Sequence, residues 1–189
     1  GVRTAASARL PDGPSSTTCA ARRPSASHSS TSTPGATGRV VAYQRSSTTL
    51  TTYNALSNNN DFWAGTPGAG NLIYYDGTNA IQTLAAFKAF VSPRDAGSIT
   101  ELPPFVNTAA TPYNLHITPS VTTQCESGGG TVSAPVNITT DFDGEPRYPN
   151  PGYPEFAGSP ASAPDIGADE FGGILLDVTA PNIAFSPLM

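Results

Sequence analysis

Asn71-Leu72-Ile73-Tyr74-Tyr75-Asp76-Gly77 is the strongest strand signal in the chain, an aliphatic and aromatic run closed by an Asp-Gly turn. A helix pattern follows it. Thr83 supplies a cap, Leu84, Phe87 and Val91 fall on one face with Lys88 turned away, and Pro93 ends the pattern. Outward from this core in both directions the extended pieces are short. Upstream lie Val40-Val41-Ala42-Tyr43-Gln44, Thr49-Leu50-Thr51-Thr52-Tyr53 and the polar turn Ser57-Asn58-Asn59-Asn60-Asp61. Downstream lie Ser98-Ile99-Thr100, Phe105-Val106, Asn114-Leu115-His116-Ile117, Gly130-Thr131-Val132 and Val136-Asn137-Ile138. Pro103-Pro104, Pro112, Pro119 and Pro135 separate them, and prolines this frequent exclude long central strands while suiting short rungs or edge strands. The expectation is a mainly β fold with one short α-helix and long Pro/Gly-rich loops.

Bulk composition agrees. Eighteen glycines and nineteen prolines make up about a fifth of the 189 residues, and Lys88 is the one lysine. The net charge of −5 hides an asymmetry. Residues 1–60 carry six arginines against Asp12 and sum to +5, whereas the remaining residues carry three basic and thirteen acidic side chains and sum to −10. An acidic body of this kind argues against nucleic acid as a partner, because phosphate binding needs clustered Lys and Arg. No stretch reaches the ~20 apolar residues of a membrane span. The glycines of Gly65-Thr66-Pro67-Gly68-Ala69-Gly70 make no phosphate cradle, since no Lys-Ser/Thr ending follows them.

The segment 1–38 contains no aromatic residue, no lysine and no glutamate, and its large apolar side chains are Val2 and Leu10. It cannot bury enough surface to offset the roughly 1–2 kcal/mol per residue of backbone ordering entropy, and reads as disordered or atypical. Its Arg- and Ser-rich, acid-poor character also fits a transit peptide or a reading-frame artefact. Order is expected over residues 39–176. The stretch 177–189, with Val178-Thr179-Ala180-Pro181 leading to Ile183-Ala184-Phe185, reads as a linker and the first strand of a further, truncated module. Cys19 and Cys125 are far apart in unlike neighbourhoods; a disulfide and unpaired thiols both remain open.

Chemistry concentrates in two glycine-punctuated loops. Asp165-Ile166-Gly167-Ala168-Asp169-Glu170-Phe171 follows Asp141-Phe142-Asp143-Gly144-Glu145-Pro146-Arg147 by 24 positions, and together they hold six of the fourteen acidic residues. Carboxylates so close repel unless a positive charge sits among them. One reading is a calcium-type cation held by Asp141, Asp143, Asp165, Asp169 and Glu170, although residue 152, at the twelfth position of an EF-hand loop, is Gly. The other is Arg147 as a structural staple, bidentate to Asp165 or Asp169. A third is that these are solvated turn residues.

Catalytic constellations are sparse. His28 lies in the N-terminal segment, and His116 is expected at the surface of a strand between Leu115 and Ile117. Asp143 and Asp169 as a carboxylate pair, or His116 with Ser120 or Ser127 and a carboxylate, are the catalytic candidates, and no G-x-S-x-G elbow supports a hydrolase triad. Tyr148, Tyr153 and Phe156 on the proline-rich stretch 147–164 could stack on sugars, as could Trp63, Tyr74 and Tyr75, although Trp63 and one of that tyrosine pair are expected in the core. Asn137-Ile138-Thr139 is a glycosylation sequon.

The order of Asn-rich turn, strand 71–76, helix 83–91, Pro93-Arg94-Asp95-Ala96-Gly97-Ser98, Pro104-Phe105-Val106, Leu115-His116-Ile117 and the two acidic motifs resembles the C-terminal end of large secreted bacterial proteins. These are right-handed parallel β-helix proteins of Bacteroidetes type, within the pectate-lyase-like superfamily. The resemblance covers roughly residues 35–176. It implies a partial β-helix or its C-terminal cap, secreted or at the cell surface, with flanking domains in the parent protein and polysaccharide or cell-surface glycan as partner. The expected function is a structural, adhesive or glycan-contacting module, non-catalytic by itself. The alternative is a cation-dependent hydrolase acting on an ester, lactone or glycan through the acidic cluster.

Overall fold

The structure, a computed structural model, describes residues 38–133 and 137–176. The expectations for the N-terminal segment, for Cys19 and His28 and for the strand at 178–185 lie outside the described residues.

The strand read first from sequence organises the N-terminal half. β1 (Val40–Gln44) pairs in parallel with β2 (Asn71–Tyr75), Val40 opposite Asn71 and Tyr43 opposite Tyr74. β3 (Ala80–Ile81) returns antiparallel onto β2. Asp76 makes that return possible: its carboxylate accepts the Thr78 and Asn79 backbone N–H groups at 3.0 and 2.7 Å, the Asn79 side-chain amide at 2.8 Å and the Tyr74 hydroxyl at 3.0 Å. Burial alone would push this carboxyl up, but the four hydrogen bonds hold it down at about 2. Gly77, at φ +96°, takes the left-handed position beside it.

Thr83 caps α1 (Leu84–Val91) by accepting the Ala86 N–H at 3.3 Å. Phe87 and Val91 face inward with no exposed surface and join Tyr53, Ile73 and Tyr74 in a buried cluster. Phe87 stacks on Tyr74 and meets Phe62 edge-on, each with ring centroids 5.2 Å apart. Such ring pairs contribute roughly 0.5–1.5 kcal/mol beyond area burial. Tyr74 is the tyrosine of the pair that enters the core; Tyr75 and Trp63 are half-buried.

The strand expected at residues 49–53 is instead a 3₁₀ turn, Leu50–Thr52. Its carbonyls are claimed by arginines: Arg45 donates to Thr49 O at 3.1 Å and Arg94 to Leu50 O at 3.3 Å. Leu50 and Tyr53, three residues apart, then reach the same core, which an extended strand would not permit.

The Asn-rich turn is a lattice of cross-links to later segments. Asp95, fully buried and at φ 54°, accepts hydrogen bonds from the Tyr53 hydroxyl, from Asn60 Nδ2 at 2.8 Å, from Ser98 Oγ at 2.8 Å and from Ser57 Oγ at 3.3 Å. Asn58 accepts the Gly97 N–H at 2.6 Å, and Asn59 donates to Gly128 O at 2.9 Å. An isolated parallel bridge joins Asp61 to Ile99 at the same level.

Further along, β4 (Phe105–Asn107) and β5 (Asn114–Ile117) form an antiparallel pair with a register shift, and β6 (Thr122–Thr123) pairs in parallel with β7 (Ile174–Leu175). The expected strands at 130–132 and 136–138 are not formed among the described residues. Val132 and Ile138 are joined by one backbone hydrogen bond of 3.0 Å, while 134–136 lie outside the described residues. A second, small core of Ile117, Cys125, Ile166 and Phe171 is flanked by Ile99 and Phe105. It depends on close backbone approach: a Cβ on Gly129 would sit 2.6 Å from the carbonyl oxygens of both Pro164 and Asp165. Among the described residues, short strands in small sheets with one α-helix make the fold mainly β.

Candidate functional site

The two acidic motifs meet. Within the first, Asp141 Oδ1 accepts the N–H groups of Asp143 at 2.9 Å and Glu145 at 2.8 Å, which folds Asp-Phe-Asp-Gly into a tight turn with Gly144 at φ +89°. Its other oxygen accepts the Glu170 N–H at 3.1 Å, and Phe142 N–H donates to Ala168 O at 2.8 Å. The proline-rich stretch between them is therefore a closed excursion whose ends are hydrogen-bonded.

Behind this junction lies a buried charge cluster. Asp165, Glu170 and Glu126 are each 2% exposed or less, and one guanidinium, that of Arg147 at 7% exposure, reaches the carboxylate of Glu170. Arg147 Nη2 lies 3.2 Å from Glu170 Oε2 and donates to Asp165 O at 2.6 Å, while Nη1 donates to Gly167 O at 3.0 Å. Arg147 is thus a staple, but its carboxylate partner is Glu170 rather than the expected Asp165 or Asp169, because it engages Asp165 through the backbone carbonyl.

The remaining carboxylate oxygens are satisfied by backbone. Glu170 accepts Tyr148 N–H at 2.9 Å and Asp165 N–H at 3.1 Å. Asp165 accepts Ser127 N–H at 2.7 Å and Phe171 N–H at 2.8 Å. Glu126 accepts Gly173 N–H at 2.7 Å and the Ser127 hydroxyl at 2.9 Å. Burial, with the neighbouring charges of Glu126 and Glu170, pushes the Asp165 carboxyl up to about 8 against the pull of its two N–H donors. Glu126 is likewise raised, first by burial.

The five carboxylates proposed from sequence as calcium ligands are consequently divided. Asp165 and Glu170 face the buried Arg147 cluster, and Asp141 spends its oxygens on backbone N–H groups. Asp143 and Asp169 turn outward and meet His116 of β5, whose Nδ1 lies 3.5 Å from Asp143 Oδ2 and 3.3 Å from Asp169 Oδ2. Ile117 N–H donates to Asp169 at 3.3 Å and fixes that carboxylate over the strand. The three weak catalytic candidates of the sequence are thereby neighbours, with side chains 50%, 42% and 20% exposed for His116, Asp143 and Asp169. These three residues form a group whose ligand atoms lie within 4.8 Å of one another.

Beside the junction is a cleft of about 370 Å³ bordered by Thr131, Ile138, Asp141, Phe142, Arg147 and Tyr148. Of the proposed stacking residues, Tyr148 borders it and packs edge-on against Tyr153, ring centroids 5.1 Å apart. Phe156 does not border the cleft; it sits at a separate bridge to Ser159. Sequence reasoning passed over Glu126 and Asp95 as members of buried clusters, because most of the groups that bond them are remote in sequence: Gly173 lies 47 residues from Glu126, and Asn60, Ser57 and Tyr53 lie 35, 38 and 42 residues from Asp95.

No family profile, no curated protein and no solved structure matches this chain. No helix among the described residues is long and apolar enough to cross a membrane.

Proposed function

We propose that the chain is a structural, adhesive or glycan-contacting module, the closing end of a right-handed parallel β-helix in a larger secreted or surface protein. The observation that carries this reading is the use of half the acids of the motif pair, with its arginine, in internal bonds: Asp141, Arg147, Asp165 and Glu170 tie the two loops to each other. Three parallel pairings between distant segments, β1 with β2, Asp61 with Ile99 and β6 with β7, support a stacked-rung architecture. The Asn58, Asn59 and Asn60 cross-links between successive turns support it as well. A polysaccharide would be met at the cleft rimmed by Tyr148, where a ring face is backed by Tyr153.

A second reading, a cation-dependent hydrolase acting on an ester, lactone or glycan, is favoured by one feature: the solvent-facing set of His116, Asp143 and Asp169. One screen separates the two. The folded chain is assayed on ester, lactone and polysaccharide substrates with and without chelator, alongside a glycan-binding array. The module reading expects glycan retention that weakens in Tyr148→Ala and no turnover on any substrate. Turnover abolished by Asp143→Ala would replace it with the hydrolase.

A further inference from the structure

We propose that His116, Asp143 and Asp169 bind a divalent transition-metal ion of the zinc type, in a solvent-open site distinct from the buried Arg147 cluster. The inference stands on this geometry and holds whether the chain is a module or an enzyme.

The donor set chooses the ion class. Calcium and magnesium take oxygen ligands, whereas a neutral imidazole nitrogen beside carboxylates suits zinc and its first-row neighbours. The spacing agrees. Metal–ligand bonds of ~2.0–2.1 Å in a tetrahedron put adjacent ligands roughly 3.3–3.4 Å apart. His116 Nδ1 stands 3.3 Å from Asp169 Oδ2 and 3.5 Å from Asp143 Oδ2, close to that spacing, and the three ligand atoms lie within 4.8 Å of one another.

Charge points the same way. Two carboxylates converge on one imidazole while Arg147, the arginine nearest in sequence to Asp143, is directed at Glu170 and two carbonyls on the buried side. A divalent ion between them neutralises the pair. The three side chains come from β5 and from both acidic loops, so the ion would clamp those segments together on the outside as Arg147 does within. With His116 50% and Asp143 42% exposed, a fourth position stays open to water or to an oxygen of a bound ligand.

Calorimetric titration of tag-free protein with zinc chloride and, separately, calcium chloride tests this directly. Zinc is expected to saturate at one ion per chain, and calcium to give no saturable heat. His116→Ala and Asp143→Asn should each weaken zinc binding by at least the roughly 10–100-fold typical of disturbing a metal site, with far-UV dichroism of the metal-free variants unchanged. His28→Ala should bind as the parent does. Cobalt(II) gives a second readout: weak visible bands of nitrogen and oxygen ligation that vanish in His116→Ala. The proposal is overturned if zinc gives no saturable heat or if calcium competes equally. Affinity unmoved by His116→Ala, affinity lost in His28→Ala, or a thiolate charge-transfer band in the cobalt form would each overturn it too.

Discussion

Replacing Arg147 with methionine keeps an unbranched stem about as far as Nε and removes the guanidinium from the buried cluster. Glu170, 2% exposed, would keep its charge and lose the group 3.2 Å away that neutralises it, while the carbonyls of Asp165 and Gly167 would lose donors now at 2.6 and 3.0 Å. Breaking one side of a buried pair costs about 3–5 kcal/mol, chiefly because the remaining charge is left uncompensated. Set against a total stability of about 5–15 kcal/mol, a loss near 4 kcal/mol is severe. At roughly 2–4 °C per kcal/mol for a chain of this size, the melting temperature should fall by about 8–16 °C.

Urea denaturation followed by circular dichroism measures the loss, and amide exchange localises it to residues 165–171 and Tyr148, whose N–H groups bond within the cluster. Adding Glu170→Gln removes the orphaned charge, so the double variant should be more stable than Arg147→Met alone. A single variant within about 1 kcal/mol of the parent, or strictly additive losses in the pair, would refute the staple.

Stability should fall as pH rises from 5 to 9. Burial raises Asp61 to about 7 and Asp165 to about 8, well above their unfolded values, so their contribution is full below about pH 4 and is lost as pH climbs through 7 and 8. Urea midpoints across that range check this, and Asp165→Asn should flatten the upper part of the slope. Asp95→Ala strands the Tyr53 hydroxyl, Ser57, Asn60 and Ser98 in a buried pocket, and should cost at least about 3 kcal/mol in equilibrium unfolding. Gly129→Ala drives a methyl to 2.6 Å from two carbonyl oxygens; a loss of roughly 1–3 kcal/mol, with altered exchange at Ile166, is expected in the same assay. Phe87→Ala empties the centre of the N-terminal core and should cost about 3–5 kcal/mol, read from the same unfolding curves.

Strand β2 and helix α1 were legible because their signals are local: a β-prone run closed by Asp76-Gly77, a Thr83 cap and a terminating proline. The segment 49–53 was not legible in the same way. Its composition favours a strand, but Arg94, more than forty residues away, captures the carbonyls of Leu50 and Tyr53, with Arg45 on that of Thr49, and the segment tightens into a 3₁₀ turn. Tertiary hydrogen bonds overrode local preference there.

The candidate site divides along the same line. By itself the sequence determined that carboxylates crowd residues 141–170, that Arg147 is the cation among them, and that the chain is built of short, proline-separated extended pieces, all properties of neighbours along the chain. Only the tertiary structure decided which carboxylate goes where. Asp165 and Glu170 turn inward because backbone N–H groups and a guanidinium await them, whereas Asp143 and Asp169 turn outward onto His116. His116 precedes its two partners by 27 and 53 positions, and no periodicity carries over such intervals. Pairings of that range depend on the whole chain closing, since desolvation and charge act through space and not through sequence.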